Sequence, residues 1–135
     1  MPIKVKCLAS GSTGNSYAID DGENVLLLEA GIIARKILSG YLDMLPRVKG
    51  LLITHGHNDH ARSAPKLSDA GIDIYATAGT FQEISERSEK PVRPYRAHTI
   101  LARKPFRLGT WEILPLEAQH DAYEPERFPC QNHSR

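Results

Sequence analysis

Apolar residues alternate with lysines at the start of the chain. Over residues 3–9, Ile3, Val5 and Cys7 fall on one side and Lys4 and Lys6 on the other, the two-residue period of a half-buried strand. Ser10-Gly11-Ser12-Thr13-Gly14-Asn15-Ser16 has no apolar position and reads as a loop. Residues 17–19 and 24–29 read as a hairpin around Asp20-Asp21-Gly22. After Ala30-Gly31, the positions Ile32, Ile33, Ile37 and Leu38 recur at helical spacing, which predicts a helix ending near Gly40. A second short helix over 41–45 stops before Pro46. Residues 48–54 form a continuous apolar run, the pattern of a strand buried on both faces. Then follow a helix over 61–70 closed by Gly71, a strand over 73–76, a helix over 80–88 with Phe81 and Ile84 inward, and a late strand over 111–116. Strands alternating with helices predict an α/β or α+β layered domain.

Composition narrows this picture. At 135 residues and 41% hydrophobic, the chain has length and apolar content for one packed core. Lys+Arg total 17 against 16 Asp+Glu, so the net charge of +1 excludes a basic nucleic-acid tail or an acidic solvating chain as the main theme. No apolar run approaches a membrane span, and the start lacks the apolar stretch of a signal peptide, so no membrane partner is expected. Two cysteines, Cys7 and Cys130, cannot make a disulfide scaffold; they suit a reducing cytoplasmic compartment, with one bridge between them as the alternative. Residues 87–107 carry Arg87, Lys90, Arg93, Arg96, Arg103, Lys104 and Arg107 against Glu89, with Tyr95 among them. That stretch reads either as a solvated face or as a track for a phosphate backbone. Residues 125–135 are polar and aperiodic, a tail by pattern, and Cys130-x-x-His133 within them lacks the second half of a zinc knuckle.

Three of the six histidines fall together in Thr54-His55-Gly56-His57-Asn58-Asp59-His60. In a turn after a strand, side chains two apart can point the same way, so His55 and His57 are placed to chelate one ion. Asp59 and His60 then point to a neighbouring ion position, and Gly56 lets the backbone turn tightly between ligands. Imidazole suits zinc, and imidazole with carboxylate suits zinc, manganese or iron. His120, beside Asp121, again follows a strand-like segment. As a third imidazole it would complete a three-histidine site with an open position, the catalytic kind; taken alone it reads equally as a polar loop residue. Asp59 is the carboxylate expected to orient water or hold a second ion. The loop 10–16 lacks the lysine and spacing of a Walker loop; Ser10, Ser12 and Asn15 are candidates to line the site, and neither serine has a base motif to make it a nucleophile.

With these residues in view, the sequence resembles the metallo-β-lactamase fold superfamily. The carriers are His55-x-His57-x-Asp59-His60 after Leu51-Leu52-Ile53-Thr54, together with Leu26-Leu27-Leu28-Glu29-Ala30-Gly31. Leu8-Ala9-Ser10-Gly11-Ser12-Thr13-Gly14-Asn15-Ser16 and His120-Asp121-Ala122 look like its YycJ/WalJ-like branch of bacterial and phage hydrolases. The resemblance implies a four-layer αββα sandwich over residues 1–124, of which the N-terminal half to two-thirds is present, and nuclease-type phosphodiester hydrolysis. It implies that His55, His57 and His120 hold one Zn2+ (Mn2+ or Fe being alternatives), and that Asp59 and His60 serve a second. Glu29 stands where the family usually has Asp, adding a methylene to a group that orients the ligand loop. The family's later bridging aspartate and last histidine lack clear counterparts, since Asp121 sits too close behind His120 and His133 is a weak stand-in. Three readings follow: a nuclease-like metal hydrolase, a hydrolase of a lactam, thioester or ester, and a catalytically silent metal- or partner-binding domain. An incomplete sandwich also predicts pairing with a second copy or with a missing C-terminal half.

Overall fold

The computed structural model describes residues 2–116. Six strands form one sheet in the order of the sequence: β1 (Lys4–Ala9), β2 (Ser16–Asp20), β3 (Val25–Leu28), β4 (Val48–Leu52), β5 (Ile74–Ala76) and β6 (Ala97–Thr99). The first three pair antiparallel, and from β3 to β6 every pairing is parallel. Parallel neighbours need crossovers, and helices supply them. α1 (Ala34–Gly40) and a 3-10 helix (Leu42–Arg47) join β3 to β4. α2 (Asn58–Ala61) and α3 (Ala64–Asp69) join β4 to β5, and α4 (Ala78–Arg87) joins β5 to β6. A two-stranded sheet, β7 (Phe106–Leu108) and β8 (Trp111–Ile113), follows.

The core lies between the sheet and the helices. Ala18, Val25, Leu27, Leu51, Ile53, Ile74 and Ala76 from the strands meet Ile37, Ala64, Leu67 and Ile84 from the helices, all buried. Tyr41 closes this layer; its hydroxyl shares a 2.9 Å hydrogen bond with Ser16 Oγ, and burial pushes it up to about 12. The opposite face of the sheet carries the alternate positions. There Tyr75 stacks between His98 and Phe106, with ring centroids 4.6 and 5.6 Å apart. Trp111 Nε1 donates to the Asn24 carbonyl, which ties β8 to the β2–β3 turn. The two-stranded sheet thus lies on the face the helices leave, giving helix, sheet and second-sheet layers in a mixed α/β fold.

Several boundaries differ from the sequence pattern. The first helix begins at Ala34, since the Ala30 N–H bonds the His60 carbonyl of α2 and the Gly31 N–H bonds the Asn15 carbonyl of the loop instead. The 3-10 helix runs through Pro46, which its tighter turn tolerates because the proline needs no donor there. The helix expected over 61–70 starts only at Ala64, as α3, behind the separate short α2 of the histidine segment, and β6 and the start of β7 lie in the basic stretch where no strand was expected. Within that stretch Lys90 and Arg93 pair with Asp69, Arg96 with Asp73 and Arg107 with Glu112. Their charge is offset locally, as for a solvated face. The boundary near residue 124 and the tail lie outside the described residues.

The hairpin expected around Asp20-Asp21-Gly22 is present, closed at its base by Arg47. That guanidinium meets both Asp20 oxygens at 2.7 and 2.9 Å. With the Gly22 N–H it holds the Asp20 carboxyl at about 2, from an ordinary 3.8. A lowered carboxyl contributes stability that is present above its unfolded value and is lost as pH falls through its folded one. An Asp20→Asn chain is therefore expected to be less stable at pH 6 but to lose less between about pH 4 and pH 2. Urea unfolding across that window checks it, and an unchanged acid limb in the variant would refute the assignment.

Candidate metal centre

The histidine segment leaves the C-terminal end of β4 and is fastened from three sides. Glu29, just past β3, keeps the ladder with a 2.9 Å bond from its N–H to the Leu52 carbonyl, then turns with a φ of 66°. That left-handed turn swings its side chain under the next loop, where it is buried. Glu29 Oε1 accepts the Thr54 N–H at 3.1 Å, and Oε2 accepts the Thr54 hydroxyl at 2.5 Å. Having given its proton to Glu29, the Thr54 hydroxyl is an acceptor toward His55 Nδ1, 3.1 Å away. His55 thereby carries its proton on Nδ1 and leaves Nε2 free to ligate.

Three of the expected ligands come together. Ligand atoms of His55, Asp59 and His60 all lie within 4.8 Å of one another. The rings of His55 and His60 are 3.9 Å apart. His60 is buried between two carboxylates: Nδ1 is 3.0 Å from Glu29 Oε2 and Nε2 is 3.4 Å from Asp59 Oδ2. Burial, and next the neighbouring His60, lower the pKa of His55, which favours the neutral imidazole that metals require. His57 is exposed at the head of α2, its ring edge-on to His55 with centroids 5.1 Å apart, and is not one of the three. His55 therefore groups with Asp59 and His60 across the loop.

The donor set suits a divalent transition metal. Two imidazoles and a carboxylate converge, and His60 Nδ1 is buried without an aligned hydrogen bond among the described residues, although Glu29 lies beside it. A carboxylate behind one ring nitrogen, with the other nitrogen turned to the cluster, is how ligating histidines are commonly held.

Other candidates take different places. Asn15 is buried and bonds the loop to the histidine segment. Ser10 and Ser12 are exposed, and Ser10 lies within hydrogen-bonding reach of the Tyr17 hydroxyl. His120 and Asp121 lie outside the described residues. Sequence reading missed Glu83 of α4, whose Oε1 accepts the Gly56 N–H at 3.0 Å. A Cβ at Gly56 would stand 2.3 Å from Glu83 Cβ, so the glycine is needed for close approach by α4. Nothing in the spacing announced Glu83, because only the crossover brings α4 beside the loop. A separate hollow of about 170 Å3, with Leu45, Val48, Lys49 and Asp73 in its wall, sits at the other end of β4, away from the histidines.

The sequence matches the β-lactamase superfamily domain over residues 27–133. It is similar to the exodeoxyribonuclease WalJ of Streptococcus pneumoniae, 31% identical over 131 residues, covering 93% of this chain and 49% of that protein. It is also similar to the exodeoxyribonuclease YycJ of Bacillus anthracis, 29% identical over 140 residues, covering 100% of this chain and 52% of that one. Among solved structures, the metallo-β-lactamase fold protein YhfI from Bacillus subtilis superposes with a TM-score of 0.63 at 18% identity, over 84% of this chain and 52% of that chain. The chain spans about half the length of the curated relatives it matches.

Proposed function

The chain belongs to the β-lactamase superfamily, and from that membership we propose that it carries the metal centre of a hydrolase acting on phosphodiester bonds in nucleic acid. The observation that carries this reading is the convergence of His55, Asp59 and His60 at the end of β4, with Glu29 buried behind them. The nucleic-acid substrate is supported by the two relatives named as exodeoxyribonucleases. His55, Asp59 and His60 would hold the ion, with His57 beside them and His120 as a further imidazole; zinc suits this set best, and manganese or iron are the alternatives. When bound, such an ion supplies Lewis-acid activation of water at neutral pH and offsets charge on phosphorus.

The chain's own residues do the remaining work. Thr54 and Glu29 fix the proton of His55 on Nδ1. Glu29 orients His60. Asp59, with a third of its side chain open to solvent, is the group placed to orient an attacking water and accept its proton.

Metal analysis of the purified chain, followed by degradation of single- and double-stranded DNA with and without His55→Ala, tests the proposal. Stoichiometric transition metal, and cleavage that falls at least about a hundredfold in the variant, are expected. Absence of bound metal, or undiminished cleavage in His55→Ala, would overturn it. Bound metal without cleavage selects the silent metal-binding reading instead.

A further inference from the structure

The loop over residues 10–16 has no part in the proposal above, yet its last turn reaches the ligand segment. Asn15 is 7% exposed and uses its whole amide. Nδ2 donates to the Gly11 carbonyl and to the Asp59 carbonyl, both at 2.9 Å. Oδ1 accepts the Gly11 N–H and the Tyr17 hydroxyl, both at 3.1 Å. Its backbone carbonyl accepts the Gly31 N–H at 2.8 Å. One side chain thus joins the loop, β2 and the histidine segment.

The bond to Asp59 explains the break between α2 and α3. In a continuing helix the Asp59 and His60 carbonyls would accept from residues 63 and 64. Instead the Asp59 carbonyl takes the Asn15 amide, the His60 carbonyl takes the Ala30 N–H at 2.6 Å, and Ser63 N–H turns to the Ala30 carbonyl at 3.0 Å. The carbonyls of two consecutive ligand residues are thereby captured by two separate segments. That fixes where their side chains leave the backbone.

We propose that Asn15 is a positioning residue for the metal centre, holding Asp59 at its carbonyl so that the carboxylate and the next imidazole face His55. This rests on the reading of the cluster as a metal site. Asn15 touches neither metal nor substrate; it acts through the Asp59 backbone. Loss of such an outer partner commonly weakens metal binding about ten- to a hundredfold.

Zinc affinity of the 135-residue chain, measured by competition with a chromophoric chelator, tests this. The visible spectrum of the Co2+-loaded chain reports the ligand geometry. Asn15→Ala is expected to bind zinc at least about tenfold more weakly and to alter the Co2+ spectrum. Ser68→Ala serves as comparison: Ser68 is also buried, and its hydroxyl donates to the Pro65 carbonyl and accepts the Arg93 N–H, bonding none of the cluster residues. It is expected to lose stability while zinc affinity and the Co2+ spectrum stay as in the parent.

Unchanged affinity in Asn15→Ala, or an equal fall in Ser68→Ala, would overturn the positioning role while leaving the metal site standing. A parent chain that binds no zinc would overturn both. If Asn15→Ala does not fold, Tyr17→Phe decides. It keeps the amide and removes one of its four partners, and a several-fold weaker zinc affinity is expected; parent-like affinity there would overturn the proposal.

Discussion

Alanine at position 31 is expected to dismantle the ligand loop. A Cβ built on Gly31 would stand 1.9 Å from the Asp59 carbonyl oxygen and 2.7 Å from the Asn15 amide nitrogen. Both neighbours are backbone, so no side chain can rotate away. The methyl can be admitted only by parting the loop over residues 10–16, the end of β3 and the head of α2, which breaks the bonds described above. Overpacking of a tight site costs about 1–3 kcal/mol, and backbone on both sides places this case at the top of that range or beyond. In a chain of this size that lowers the melting midpoint by roughly 10 °C. Gly79→Ala is the comparison, because a Cβ there meets nothing within 4 Å and the position is helical. It is expected to be neutral or to gain up to about 1 kcal/mol. Equal melting of the two variants would mean that the close approach at Gly31 carries no weight.

His60→Ala is expected to cost both stability and metal, by separable routes. The imidazole is almost wholly buried against Glu29, itself almost wholly buried. Removing it opens a cavity and leaves the Glu29 carboxylate with Thr54 as its neighbour. About 2–4 kcal/mol of stability is expected to go, as for other large-to-small changes beside a buried polar group. With one of three converging ligand atoms gone, zinc affinity is expected to fall more than about a hundredfold. His60→Gln separates the effects: its amide can still donate to Glu29 but is a poor zinc ligand. Urea unfolding in chelator should show much of the stability regained in His60→Gln, while zinc titration shows no recovery. Parent-like zinc binding in His60→Ala would remove His60 from the ligand set.

The sequence was most legible where local pattern and tertiary context agree. β1 to β5 and the turn at Asp21-Gly22 follow from alternation, apolar runs and turn chemistry, and they form as expected. β6 was not readable: Ala97-His98-Thr99 has no apolar alternation, and it is a strand because parallel pairing with β5 makes it one. The helix expected over 61–70 starts only at Ala64, because Asn15 and Ala30 take the Asp59 and His60 carbonyls that would have run α2 into it. At the site, the spacing of His55, His57, Asp59 and His60 announced a cluster, with His55 paired to His57. Which partner His55 meets was set by the α2 turn, which carries His60 back over it and leaves His57 outside. Glu29 was recognised by position, but its left-handed backbone and double bond to Thr54 exist only once β3 and β4 lie side by side.

The sheet order has a further consequence at its beginning. Among the described residues β1 is an outermost strand, so one side of its backbone carries N–H and C=O groups with no neighbouring strand. Such a rim can template the addition of another chain. Lys4 and Lys6 are exposed along it, and Lys6 reaches across to the Gly40 carbonyl at the end of α1. A second copy adding antiparallel would press lysine toward lysine, and the register break between Cys7 and Ala9 would spoil the remaining ladder. The lysines that first marked a half-buried strand therefore also act as gatekeepers against edge-to-edge aggregation.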